Sequence, residues 1–303
     1  MSRLGFFDEW LAATFTNPQG PAVRFSSCFP FQGDTRFVVP PSTLWPPPPS
    51  LKVRWKGARF VPLQLIEELL ASRPLDEESW RVDGMSRCLV PAGWSQGPFR
   101  LAVRSSAAVD RLTGETFVHK TACLEFSPGA GMWALATFSG EETEARWSGP
   151  VQAAFRLLAD SGLGGERARG WGRFQQPDFE RAKLPELILG SSIAGGAVPD
   201  SPPQPTAEAA YWLLSLFSPA DKDRIQWDGG SYSLLTRSGR VESPLSHGAL
   251  KKLSRMVAEG SVILSEGPPE GGAIDVAPEG VDHPVYRAGF AVAVAIPLRE
   301  VPR

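Results

Sequence analysis

The sequence predicts an α+β fold in two halves, and three observations carry that prediction. Glycine (30 residues) and proline (29) are both abundant among 303 residues, which fits many turns between short elements. Helix-spaced and strand-like stretches follow one another with no fixed short period, so a solenoid is not expected. Gly190 to Pro205 is poor in order-forming residues and reads as a linker between a first domain, 1–189, and a second, 206–303.

Bulk properties exclude several classes of function. An apolar content of 42% and a charged content of 21% belong to a folded globular chain. With a formal net charge of −2, contact with nucleic acid cannot come from overall charge and must be local. Cys28, Cys88 and Cys123, like His119, His247 and His283, are scattered and in no metal-like spacing, so the expectation is a reduced, cytoplasmic protein with no cofactor and no metal. No stretch nears the roughly 20 apolar residues that span a bilayer, and no basic region precedes an apolar run at the start, so no membrane is expected among its partners.

The elements are expected as follows. Leu4, Phe6, Phe7, Trp10, Leu11, Ala13, Thr14 and Phe15 read as the later part of an amphipathic helix. Pro21 to Pro30 reads as a strand entering a turn, and Phe31 to Val39 as a turn at Gly33-Asp34 followed by a second strand. Pro46 to Pro49 is a stiff connector. Lys52, Arg54, Lys56 and Arg59 alternate with apolar residues as on an edge strand, its bases facing solvent or nucleic acid.

Val61 to Leu70 is predicted helical with Pro62 in its first turn, and 71–98 is predicted irregular. Arg104 and Arg111 follow as candidate phosphate ligands, with Asp110 placed to brace Arg111 or to cap a turn. Phe117 to Phe126 and Met132 to Phe138 read as strands of one hairpin across Ser127 to Gly131. Val151, Ala154, Phe155, Leu158 and Ala159 fall at helical spacing. In the second half, Tyr211 to Phe217 reads as a strand, and Ser218 to Ile225 as a helix capped by Ser218. A hairpin is expected about Ser238-Gly239, then strands within 254–264 and 285–296.

The stretch on which function turns is Gly162 to Phe174. Its glycines, Gly162, Gly164, Gly165, Gly170 and Gly172, let backbone N–H groups approach a ligand, and Arg167, Arg169 and Arg173 supply guanidinium forks opposed only by Glu166. That combination suits phosphate. A dinucleotide fold needs a strand before the glycines and a helix after them; here a helix precedes and Trp171 to Gln175 reads as a short strand, while no Gly-Lys-Ser or Gly-Lys-Thr is present. NAD and ATP are therefore disfavoured. The plain alternative is a helix C-cap followed by an ordinary loop.

Together, Ser26-Ser-Cys-Phe-Pro30 with Gly33-Asp-Thr35, Asp110-Arg-Leu-Thr-Gly114, the glycine loop, Glu259-Gly-Ser-Val262 and His283-Pro-Val-Tyr-Arg287 give a resemblance over nearly the whole chain. The chain resembles the RAMP superfamily of CRISPR RNA-binding proteins, and within it the fourth-named subunit of type III-A Csm effector complexes. The resemblance implies two tandem ferredoxin-like (RRM-like) domains, the first lacking the opening strand with which that family begins. It also implies a non-catalytic subunit that holds the 5′ repeat-derived tag of the crRNA. Its partners would be the large signalling and nuclease subunit and a backbone subunit of the Csm complex. Under that reading Gly162, Gly164, Gly165, Arg167, Arg169, Gly170, Gly172 and Arg173 line RNA backbone, with Arg104 and Arg111 adding contacts and Trp171 either stacking on a base or anchoring core.

Two other functions remain open at this point. One is a metal-independent endoribonuclease of the guide-processing RAMP branch with His119 as general base. Such enzymes tend to carry the glycine loop near the C-terminus, whereas about 130 residues follow it here. The other is a protein adaptor without RNA contact, in keeping with the slightly acidic balance.

Overall fold

A computed structural model describes residues 4–47, 54–184, 186–189, 209–243 and 246–297. Helices α1 (Phe7–Thr14), α2 (Leu63–Leu70) and α3 (Glu141–Ser161) accompany many short strands in antiparallel pairings. This is the α+β class that the sequence predicts. The predicted linker lies outside the described residues. By contact, the described chain forms two compact units, one of 4–27 with 135–297 and one of 28–134.

In the first unit, β1 (Val23–Phe25) pairs antiparallel with β10 (Ala136–Phe138). Helices α1 and α3 cover this pair, because Trp10, Ala13, Trp147, Val151 and Phe155 all turn toward Ala22, Val23 and Phe25. Trp10 meets Trp147 edge-on at 5.3 Å, a geometry that aromatic quadrupoles favour. Helix α3 begins ten residues before the predicted apolar stripe, since Glu141, Glu142 and Glu144 complement the positive end of its dipole.

The same unit holds a second sheet in the order β12 (Ile225–Ser231), β17 (Val262–Ser265), β11 (Ala209–Leu213), β20 (Ala293–Ile296). Strand β11 is central, and Trp212 and Leu213 are wholly buried. Both faces are covered, so the strand reads as a continuous apolar run. Beside it lie the pairs β13 (Leu234–Arg237) with β16 (Ser254–Val257), β14 (Arg240–Ser243) with β15 (Ser246–Leu250), and β18 (Gly271–Asp275) with β19 (Tyr286–Phe290).

In the second unit, a sheet runs β4 (Val61–Pro62), β3 (Thr35–Val38), β2 (Phe29–Gln32), β9 (Ala130–Trp133). Hairpin β5 (Trp80–Asp83) with β6 (Cys88–Pro91) adds Cys88 and Val90 to a small core with Phe37. Strands β7 (Phe99–Val109) and β8 (Thr116–Phe126) form a hairpin paired over all 11 residues of each strand.

Several expectations are corrected. Residues 54–57 form a helical turn that buries Trp55, not an edge strand. Pro62 takes an extended backbone (φ −56°, ψ 138°) and ends a strand, so α2 starts at Leu63. Ser127 to Gly131 does not close a hairpin, because β8 is fully used by β7 and β9 pairs with β2. No helix follows Ser218, whose amide and carbonyl are engaged by Gly289 and Gly272. Ser238-Gly239 does not join a hairpin either: β13 finds β16, and the Gly239 carbonyl accepts from Lys251 N at 2.8 Å.

Candidate nucleic-acid interface

Helix α3 ends at Gly162, whose φ of +86° turns the chain out of the helix and whose amide still donates to the Leu158 carbonyl at 2.8 Å. From there the chain makes an excursion and returns. Leu163 N donates to Gly172 O at 2.9 Å, and Phe174 N donates to Ala159 O at 3.3 Å, closing a neck. Those bonds use the groups that a strand over 171–175 would need for pairing, and the predicted strand is absent.

The five glycines have two different duties. A Cβ at Gly162 would lie 2.4 Å from Trp171 O, and one at Gly172 would lie 2.0 Å from Leu163 O, so these two permit the neck to close. Around Gly164, Gly165 and Gly170 a Cβ would meet nothing within 4 Å. Those three leave the tip open, with Gly164 and Gly170 at φ +98° and +81°.

A single 3-10 turn, Arg167–Arg169, sits at the tip between Glu166 and Gly170, both in the left-handed region. Glu166 at φ +56° is unusual for a residue with a Cβ and marks local strain of about 1–3 kcal/mol. Its carbonyl accepts from Arg169 N at 2.9 Å, and its carboxylate lies 3.3 Å from Arg169 Nε. Arg167, Arg169 and Arg173 are exposed, while Trp171 is half-buried. The predicted loop residues thus occur together on one short exposed excursion.

Arg104 and Arg111 lie on the β7–β8 hairpin of the other unit. Glu125 draws Arg100 and Arg104 together: Arg100 Nε donates to Oε2 at 2.8 Å, and Arg104 Nη2 donates to Oε1. The Arg100 hydrogen bond, aided by the Arg104 charge, holds the Glu125 carboxyl below its ordinary range. Arg111 stands in the turn, which Asp110 caps by accepting from Leu112 N (2.7 Å) and Thr113 N (3.2 Å). Asp110 therefore shapes the turn. His119 is exposed on β8, opposite Ser106.

The sequence reading missed this hairpin as a unit. Leu101, Val103, Val109, Leu112, Phe117 and Val118 are all more than half exposed on it, Leu112 at 97%. The signal was present: 99–109 alternates large apolar with basic or small residues, and Asp110 to Gly114 is a turn.

Among the described residues, no group of three or more His, Cys, Asp or Glu could hold a metal ion. No helix among them is long and apolar enough to cross a membrane.

Comparison with known proteins bears on the whole arrangement. Residues 206–296 match the family model described as the CRISPR Csm4 C-terminal domain. A curated relative from Mycobacterium tuberculosis, named CRISPR system Cms protein Csm4 and present in two strains, is 31% identical over 205 residues. The match takes in 65% of this chain and 57% of the relative's own length. Among solved structures, a chain of the Csm3-Csm4 subcomplex of the type III-A CRISPR-Cas interference complex aligns with a TM-score of 0.56 at 14% identity, over 92% of this chain and 84% of that one. A chain of the Csm1-Csm4 cassette in complex with cA4 aligns at 0.53 and 17% identity, over 98% and 85%. These structures show a shared fold. The family model and the curated relatives bear out the resemblance to type III-A Csm4 subunits that the sequence motifs carry.

Proposed function

We propose, from this likeness to Csm4, that the protein is a non-catalytic crRNA-binding subunit of a type III-A CRISPR effector complex. It holds the 5′ repeat-derived tag and docks the large signalling and nuclease subunit and a backbone subunit. Its two halves correspond to tandem ferredoxin-like domains, 1–189 and 206–303. The observation that carries the RNA reading is the open tip of the Gly162 to Phe174 excursion, where backbone and three exposed arginines are presented with no Cβ crowding at Gly164, Gly165 or Gly170.

The chemistry is that of positioning. Guanidinium forks of Arg167, Arg169 and Arg173 and nearby amides bind phosphate oxygens and fix the path of the strand without reading its sequence. Trp171 adds a face on which a base stacks, worth ~1–3 kcal/mol. On the hairpin, Arg104 and Arg111 are further phosphate ligands, and the exposed apolar residues beside them offer surface to bases or to a neighbouring subunit.

The test is to purify the tagged protein from its native cells, sequence the RNA that accompanies it and identify bound proteins by mass spectrometry. Short RNAs sharing one repeat-derived 5′ end, with a large multidomain partner, are the expected result. An Arg167/Arg169/Arg173 triple alanine variant should lose that RNA. Recovery of the same RNA with this variant would overturn the loop's role, and protein free of RNA would leave the adaptor reading.

A further inference from the structure

A second cationic surface lies in the 209–297 region, far along the chain from the glycine loop. It gathers where four segments meet. Arg287, on β19, reaches across to β16 and to the residue after β13: Nη1 donates to Ser254 Oγ at 2.7 Å and Nη2 to Ser238 O at 3.0 Å. Arg237 pairs with Ser254 in the β13–β16 register, which puts its charge beside Arg287. The Gly239 carbonyl accepts from Lys251 N at 2.8 Å, and a Cβ at Gly239 would lie 3.8 Å from Arg287 Nη2 and 3.9 Å from Lys251 Cδ. Lys252 N donates to Val276 O at 3.0 Å. Arg240 bonds the Gly248 carbonyl at 2.5 Å.

Five cations, Arg237, Arg240, Lys251, Lys252 and Arg287, are thereby brought onto adjoining segments, the guanidiniums of Arg240 and Arg287 bound to neutral acceptors and Lys251 and Lys252 held there through their backbone amides. Among the described residues none forms an ion pair. The nearby Asp275 carboxylate is engaged by the amides of Ala277 (2.9 Å) and Val285 (3.0 Å) and acts on Lys252 only through space. Holding like charges in this way is unfavourable in the isolated chain: partial burial and the Arg237 charge both push the Arg287 guanidinium below its ordinary pKa. An incoming polyanion would relieve that repulsion.

We propose that this cluster is a second phosphate-binding surface for single-stranded RNA, separate from the glycine loop. The inference rests on the RNA-binding reading and extends it into the C-terminal half. A polynucleotide brings one negative charge per residue on a flexible backbone, which suits cations contributed by four segments; Lys, which supplies two of the five, is depleted at protein–protein interfaces. Leu250 (64% exposed) and Leu253 (72%) flank the two lysines, and they are what an acidic protein partner would use instead.

The experiment measures binding of the full chain to a fluorescein-labelled single-stranded RNA of mixed sequence as a function of KCl. Wild type is compared with Arg237→Ala/Lys251→Ala/Lys252→Ala, with the Arg167/Arg169/Arg173 alanine variant, and with two single changes, Lys252→Glu and Arg287→Lys. Removing three phosphate contacts should lower the log-log salt slope by about 2, from −0.7 per phosphate. Lys252→Glu, at an exposed position, should lower it by about 1 or more without disturbing the fold. A wild type that binds RNA, with a slope unchanged in the triple and Lys252→Glu variants, overturns the second surface alone. A wild type with no salt-sensitive RNA binding overturns the RNA reading as a whole. Loss of an acidic protein subunit from the purified complex, with the RNA slope intact, assigns the surface to protein.

Discussion

Leu163 and Gly172 close the neck of the glycine loop through their backbones, the Leu163 amide donating to the Gly172 carbonyl at 2.9 Å while Gly172 holds φ at +72°. Gly172→Ala would put a methyl 2.0 Å from Leu163 O, against backbone that cannot swing aside. The expected result is a stability loss of roughly 1–3 kcal/mol with weakened RNA binding. Gly165→Ala, in open space, should stay within about 0.5 kcal/mol of wild type. Urea melts of both variants decide it, and equal midpoints would refute the division of duties among the glycines.

Glu125 is expected to titrate below its ordinary value of 4.5, because Arg100 and Arg104 bind its ionised form. A depressed folded-state pKa contributes stability above that ordinary value, and the contribution is lost as pH falls through the lower one. Arg100→Ala should raise the titration midpoint, as followed by NMR of the carboxyl carbon. A midpoint at or above 4.5 in wild type contradicts the clamp.

Asp223 accepts from the amides of Ala220 (2.8 Å), Glu270 (2.9 Å) and Gly271 (3.0 Å), tying the turn after β11 to the entry of β18. Asp223→Ala leaves those donors without their acceptor and should cost about 1–3 kcal/mol. Asp223→Asn keeps one oxygen and should cost less. If the two variants melt alike, side-chain acceptance at this position is not what holds the turn.

The Cys88 thiol is pushed up to about 12, chiefly by burial. It is therefore a neutral thiol in the folded protein at any ordinary pH and should resist iodoacetamide at pH 8 until denaturant is added. Mass spectrometry of the labelled peptides provides the check. Rapid alkylation of Cys88 in the native protein would show that β6 opens readily.

His119, exposed on β8, is the residue an RNA-cutting reading would need as general base. His119→Ala should leave RNA binding and the length of the bound RNA unchanged. Accumulation of longer, uncut RNA in the variant would favour the processing enzyme.

The α+β class, helix α3, the glycine loop, and strands β1, β3 and β11 were legible from the amino-acid sequence, because local periodicity and turn chemistry govern them. So was the Asp110 turn, whose carboxylate binds amides two and three residues on. The β5–β6 hairpin carries an Asp83-Gly84 turn signal that the sequence reading left unused.

Strand partners were not legible. Whether β13 meets β14 or β16, and β8 meets β7 or β9, depends on which pairing buries Met256 and Val257 or completes the sheet that holds Phe29. That choice is settled by burial over the whole unit, to which a local window is blind. The strand expected after the glycine loop failed for the same reason: tertiary bonds from Leu163 and Phe174 had already taken the backbone groups it needed. Residue types alone placed three arginines among the glycines of 162–174, while the basic cluster about Arg287 exists only because folding brings distant segments together.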